Sequence, residues 1–189
     1  MRTQRAARAP EQRRGEARLR ELALQALDTD FPFLGACYGI GALGRHQGAV
    51  IDQRFAEPVG AVEITLTPAG RQDPLLSELP AAFEAFTGHK EAVSKLPGHA
   101  VLLARSAGCP VQAFRVGGNV YATQFHPELD VAGLYTRIGV YKHAGYFDPD
   151  EADEIKVRAT RSDVTWPPAI LRGFVRRYGQ RVPAPAQAG

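Results

Sequence analysis

Residues 31–41 read FPFLGACYGIG, an apolar run that stops at Gly35-Ala36-Cys37-Tyr38-Gly39. Phe31, Phe33 and Leu34 supply a short buried strand, and the glycines two residues to either side of Cys37 supply a sharp turn into a helix. The backbone at such a turn is strained and a neighbouring Cβ would crowd its tip, so small flanking residues are what a protruding nucleophile needs. The first amides of the following helix point at the thiol and favour the thiolate, its reactive form. Cys37 is therefore the candidate nucleophile, weighed against the ordinary reading of a free cysteine as an inert core filler.

A second stretch, VYATQFHPE at 120–128, delivers His126, Pro127 and Glu128 at the end of a β-rich run. Pro127 biases His126 to extended backbone, and extended residues two apart project to the same side, so His126 and Glu128 can cooperate. The imidazole would take the thiol proton and later protonate a leaving amine, while the carboxylate fixes its tautomer and orientation.

The G-x-C-x-G elbow and the later F-H-P-E together resemble the class I, triad-type glutamine amidotransferases, and their order and spacing also fit. The resemblance runs from about residue 11 to about 178 and looks closest to the stand-alone branch similar to the amidotransferase domain of GMP synthase. It implies an α/β, single-domain flavodoxin-like open sheet with flanking helices. It also implies Cys37 as nucleophile, His126 as base and Glu128 as orienter, hydrolysing the side-chain amide of glutamine, or a related γ-glutamyl amide, through a γ-glutamyl thioester. Neither a cofactor nor a metal is expected. The amide of Tyr38, with Gly39 beside it, would face the oxyanion. In the resembled family a His-containing loop lies near the active site, so His89 of TGHKE (87–91) is either a substrate or acceptor contact or a histidine of a solvated loop.

Two departures from the family pattern stand out. The family commonly carries Gln four residues after the cysteine, where it helps to hold substrate glutamine; here that position is Gly41. Only one helix precedes the elbow, and the sole Gly-Gly, Gly117-Gly118, is spent on a hairpin turn. The expectation is an amino-terminally incomplete member that lacks the first βα units and the loop carrying the second oxyanion donor. Its strand edge would invite self-association. Two other readings stay open: a γ-glutamyl peptidase or hydrolase with water as final acceptor, and an inactive triad-bearing binding module. The sequence has no P-loop, so ATP-dependent amination would need a separate ammonia-accepting synthetase.

With 189 residues and 44% hydrophobic content, the chain suits one domain over residues 1–178, followed by a Pro- and Ala-rich tail at 179–189 that is expected to be disordered. The two cysteines, Cys37 and Cys109, give no disulfide framework and point to a reducing, cytoplasmic setting. No apolar stretch is long enough to span a bilayer, so no membrane partner is expected. The net charge of +3 comes from the leader: residues 1–20 hold seven arginines against Glu11 and Glu16, leaving the body slightly acidic. Without interleaved aromatic and basic residues, no nucleic-acid partner is expected.

Leu19, Leu22, Ala23, Ala26 and Leu27 repeat at helical spacing and predict an amphipathic helix over 11–27. A helix over 38–46 follows the elbow. Strands are predicted at 49–53, 59–67, 82–86 and 100–105, with a hairpin of 110–116 and 119–125 turning at Gly117-Gly118-Asn119. A short turn or helix runs from Asp73-Pro74 to Pro80, and helices are predicted over 131–142, 149–159 and 168–178.

Overall fold

The computed structural model describes residues 10–142 and 147–179. The chain opens with helix α1 (Pro10–Thr29), then strand β1 (Phe33–Ala36) and helix α2 (Tyr38–His46). Strands β2 (Val50–Asp52) and β3 (Glu57–Leu66), the short helix α3 (Pro68–Gln72), and strands β4 (Ala82–His89), β5 (Ala92–Lys95) and β6 (Val101–Arg105) follow. The hairpin of β7 (Ala113–Val116) and β8 (Val120–Thr123) leads to α4 (Val131–Tyr141), a 3₁₀ turn (Pro149–Glu151), α5 (Ala152–Ala159) and α6 (Pro168–Tyr178).

Six strands form one open sheet in the order β1-β8-β7-β6-β3-β4, while β2 and β5 pair separately as a two-stranded antiparallel ribbon. Within the large sheet only β1 and β8 run parallel; the other pairs are antiparallel. The one parallel pair joins the strand that ends at Cys37 to the strand that ends before His126, so both candidate residues leave the same end of the sheet. The architecture is the expected α/β single domain, an open sheet with helices on both faces.

Alternation along the hairpin explains why the sheet is covered twice. Phe114, Val120 and Ala122 pack with Ala23 and Ala26 of α1 and Ile40 and Leu43 of α2. Ala113 and Tyr121 point into the opposite cluster with Leu75, Leu76, Phe83, Phe125 and Ile170 of α6. Burying both faces suits the near-continuous apolar run of β8. A third cluster seats α4 and α5 against Phe86 through Leu134, Ile138 and Ile155. The apolar face predicted for α1 is narrower than expected, because Ala23 and Ala26 are buried while Leu22 remains exposed.

Three local differences from the sequence expectations have clear causes. The helix after β3 begins earlier than Asp73-Pro74: Thr67 accepts from the amide of Gly70 at 3.0 Å, and Pro68 occupies the first turn. Asp73 instead caps a turn by accepting from the Leu75 amide at 2.9 Å. Residues 87–89, expected in a solvated loop, continue β4 against β3, and 92–95 form β5. Polar residues remain in that strand because His89 meets a buried partner, Glu57. The tail expected over 179–189 lies, save for Gly179, outside the described residues, as do residues 1–9 of the arginine-rich leader. Among the described residues, no helix is long and apolar enough to cross a membrane.

Candidate active site

Cys37 stands at the N-cap of α2 with φ 48° and ψ −92°, a left-handed conformation that a non-glycine residue adopts only when its surroundings impose it. Two backbone bonds impose it here. The Cys37 amide donates to the Thr123 carbonyl at 2.8 Å, extending the β1–β8 ladder, and the Cys37 carbonyl accepts from the Ile40 amide at 3.1 Å. Gly35 is required for packing: a Cβ there would lie 3.0 Å from Phe33 Cε1 and 3.1 Å from the Cα of Gly39. The elbow thus holds a half-buried thiol at the start of a helix whose first amides, those of Tyr38 and Gly39, have no intrahelical acceptor.

His126 is held from several sides. Its amide donates to the Phe86 carbonyl at 2.9 Å, its ring is buried, and Nδ1 lies 2.7 Å from Glu128 Oε1. With the carboxylate accepting from Nδ1–H, Nε2 remains to act as base. Arg137 approaches the pair, 3.2 Å from Nδ1 and 3.7 Å from Glu128 Oε1, and its charge is matched by the carboxylate. Burial pushes the imidazole pKa down, but hydrogen bonds to Cys37 and Glu128 outweigh it, so the His126 pKa is raised. Burial likewise pushes the Glu128 carboxyl up, and its bonding to His126 brings it below the ordinary value.

A cavity of about 300 Å³ opens beside Cys37, lined by Tyr38, Gly41, Arg45, Gln53, His89, Glu91 and Gln124 among others. A smaller one of about 60 Å³ is lined by His126, Thr87, Leu134, Arg137 and Ile138, and Gly88 borders both. Cys37 lines the larger hollow and His126 the smaller one, so the elbow and the base stand between the two. Of the predicted residues, Cys37, His126 and Glu128 come together, and Tyr38 and His89 share the Cys37 cavity. Gly39 is buried beneath the elbow beside Gly35 and does not line that cavity.

His89 is neither solvated nor in a loop. Its Nε2 lies 2.9 Å from Glu57 Oε2 and its Nδ1 3.2 Å from the Glu91 carbonyl, with the ring buried. Glu57 also accepts from Ser106 Oγ at 2.7 Å and Gln112 Nε2 at 2.7 Å. Burial raises the Glu57 carboxyl, but the bonds from His89, Ser106 and Gln112 outweigh it and leave its pKa lowered. Glu57, His89 and Cys109 bring ligand atoms within 4.8 Å of one another. In this arrangement the Glu57 carboxylate is engaged by His89, Ser106 and Gln112.

Three contributors escaped the sequence reading: Glu57, Arg137 and Gln124. The first two meet the site only through the fold. Gln124 follows the end of β8 and lines the Cys37 cavity, while His126 two residues on lines the smaller one. Oε1 of Gln124 is buried with no hydrogen-bond partner among the described residues.

The family model for glutamine amidotransferase class-I matches residues 10–133, well over half of the chain. The chain belongs to the class-I glutamine amidotransferase family. It is 35% identical over 109 residues to a glutamine-hydrolyzing GMP synthase of Aeropyrum pernix, covering 58% of this chain and 21% of that protein. It is 34% identical over 101 residues to a shorter protein of Methanobrevibacter smithii, named as one subunit of a glutamine-hydrolyzing GMP synthase, covering 53% of this chain and 52% of that one. The chain thus matches about half the length of the shorter relative and about a fifth of the larger synthase. The crystal structure of a glutamine amidotransferase from Thermotoga maritima superposes with a TM-score of 0.71 at 22% identity, covering 85% of this chain and 68% of that one. This likeness establishes the fold of the amidotransferase-family chain.

Proposed function

We propose that this class-I amidotransferase-family chain hydrolyses the side-chain amide of glutamine with Cys37, His126 and Glu128. The observation that carries the reading is the strained Cys37 elbow set on the strand ladder that delivers the buried His126 ring, which is itself held by Glu128 at 2.7 Å. His126 Nε2 takes the thiol proton as sulfur attacks the carboxamide carbon. The oxyanion of the tetrahedral adduct faces the free amides at the start of α2. Collapse breaks the C–N bond, the imidazolium protonates the departing nitrogen, and ammonia leaves a γ-glutamyl thioester on Cys37. Water, deprotonated by Nε2, then attacks the thioester; glutamate departs and the proton returns to sulfur. Throughout, Nδ1–H stays on Glu128.

Relatives named as single subunits of a GMP synthase support a second part of the proposal, that the ammonia passes to a separate synthetase. A γ-glutamyl peptide is the second substrate class to consider, since Gly41 leaves open space where a side chain would reach toward the cavity. Ammonia release from glutamine, and release of the free amino acid from γ-glutamyl peptides, each measured for the parent and Cys37→Ser proteins, tests both. Cys37-dependent release with glutamine preferred is the expected result; equal release by the two proteins removes Cys37 from the reaction.

A further inference from the structure

Helix α2 carries Cys37 at its N-cap, then Gly41 and Arg45 one and two turns further on, and all three line the same cavity. Gly41 is not demanded by packing, since a Cβ there would meet no atom within 4 Å. Its effect is to leave the middle of that helical face empty. Arg45 lines the cavity one turn beyond the space that Gly41 leaves, and long helical side chains tend to lean toward the N-terminus, the direction of that space. Across the cavity, Glu91 follows the end of β4 and binds Arg45, Nη2 to Oε2, at 2.7 Å. Glu91 is itself placed by the fold, because its carbonyl lies 3.2 Å from Nδ1 of the buried His89.

We propose that Arg45 and Glu91 are specificity-determining residues that together clamp the zwitterionic head of an α-amino acid, Arg45 taking the α-carboxylate and Glu91 the α-ammonium. The inference rests on the hydrolytic reading above and deepens it. Both side chains remain accessible, at 63% and 44% exposure, so the pair is screened and loosely held. Exchanging each other for the opposite charges of a ligand costs them little. The reach also fits: two methylenes separate the reacting carbonyl carbon from the α-carbon, about 4 Å of chain. With sulfur bonded at Cys37, the head group then falls roughly one helical turn away, about 5.4 Å, at the level of Gly41 and within reach of Arg45. The clamp demands both a free α-amino and a free α-carboxylate group, and it would serve where a residue-41 side chain cannot.

The test is binding to the otherwise intact Cys37→Ser protein, by isothermal titration, of glutamine, 4-carbamoylbutanoate (no α-ammonium) and 4-aminobutanamide (no α-carboxylate). Glutamine should bind more tightly than either analogue by roughly 10- to 100-fold. Arg45→Ala should erase the preference over 4-aminobutanamide while keeping that over 4-carbamoylbutanoate, and Glu91→Gln should do the reverse. With Cys37 restored, both changes should raise KM more than they lower kcat. The clamp is overturned if glutamine binds no better than the analogues, or if the variants discriminate as the parent does. Discrimination as expected in a protein that never hydrolyses glutamine would instead overturn the catalytic reading alone.

Discussion

The backbone N–H of Cys37 is bonded to the carbonyl of Thr123 at 2.8 Å, which makes the nucleophile's turn the last rung of the strand that delivers His126. Elbow and base are therefore set relative to each other by one parallel ladder, Phe33 to Val120 through Ala36 to Thr123. A small misplacement of a catalytic group is expensive, so this rung is a geometric requirement as well as a stabilising bond.

Gly35→Ala tests that requirement. The added methyl would press on Phe33 and the backbone of Gly39. Overpacking of this kind costs about 1–3 kcal/mol. Urea melts should show that loss. Turnover should fall further than the lost folded fraction explains, because the Cys37 turn moves relative to His126. An unchanged melting midpoint would show that β1 and α2 have slack.

The two thiols should differ sharply. Cys109 is fully buried, bonded to the Val111 carbonyl at 3.5 Å, and burial pushes its pKa up to about 11. Cys37 is partly exposed in the cavity beside a base. Limiting iodoacetamide at neutral pH should modify Cys37 first, as read by peptide mapping, and Cys109 only on unfolding. Faster labelling of Cys109 in the folded protein would contradict the elbow.

His126→Ala should lower kcat/KM by roughly 10²- to 10⁴-fold, the usual worth of a general acid–base. Glu128→Gln should cost less, because it removes orientation and charge support and leaves the base. The pH profile separates the two roles. Glu128 helps to raise the His126 pKa, so replacing its carboxylate should move the acidic limb of kcat/KM to lower pH. A limb that stays in place would show that Glu128 does not act through the imidazole.

Glu57 should matter for acid stability. Its folded pKa lies below the unfolded value, so its stabilisation is present above the unfolded pKa and is lost as pH falls through the lowered folded one. Glu57→Gln should therefore cost about 1–3 kcal/mol at neutral pH. The gap to the parent should narrow below about pH 4. Denaturant melts at both pH values check this; a gap that widens in acid would reverse the sign of the coupling.

Much of this was legible in the sequence because the signals are local. Gly35, Cys37 and Gly39 mark the elbow within five residues; His126 and Glu128 do meet, but through a turn closed by the Leu129 amide on the His126 carbonyl at 3.3 Å and not through the extended backbone expected of the segment. Helix α2 falls at 38–46 as its glycine-bounded run predicts. The buried group around Glu57 was not legible. Its partners His89 and Gln112 lie 32 and 55 residues away, and nothing near any of them marks a shared interior. The same remoteness hid the continuation of β4 through His89, since a polar TGHKE segment reads as loop until Glu57 is placed opposite it. Arg45 was not singled out in the sequence either, because its partner Glu91 lies 46 residues away.

The most direct test is to quench the protein in acid during glutamine turnover and measure its intact mass, followed by peptide mapping. The account predicts a fraction of chains carrying one γ-glutamyl group on Cys37, absent in Cys37→Ser and increased in the steady state where water attack is slowed. Ammonia released at the parent rate by Cys37→Ser, or a γ-glutamyl group found on any residue other than Cys37, would contradict it.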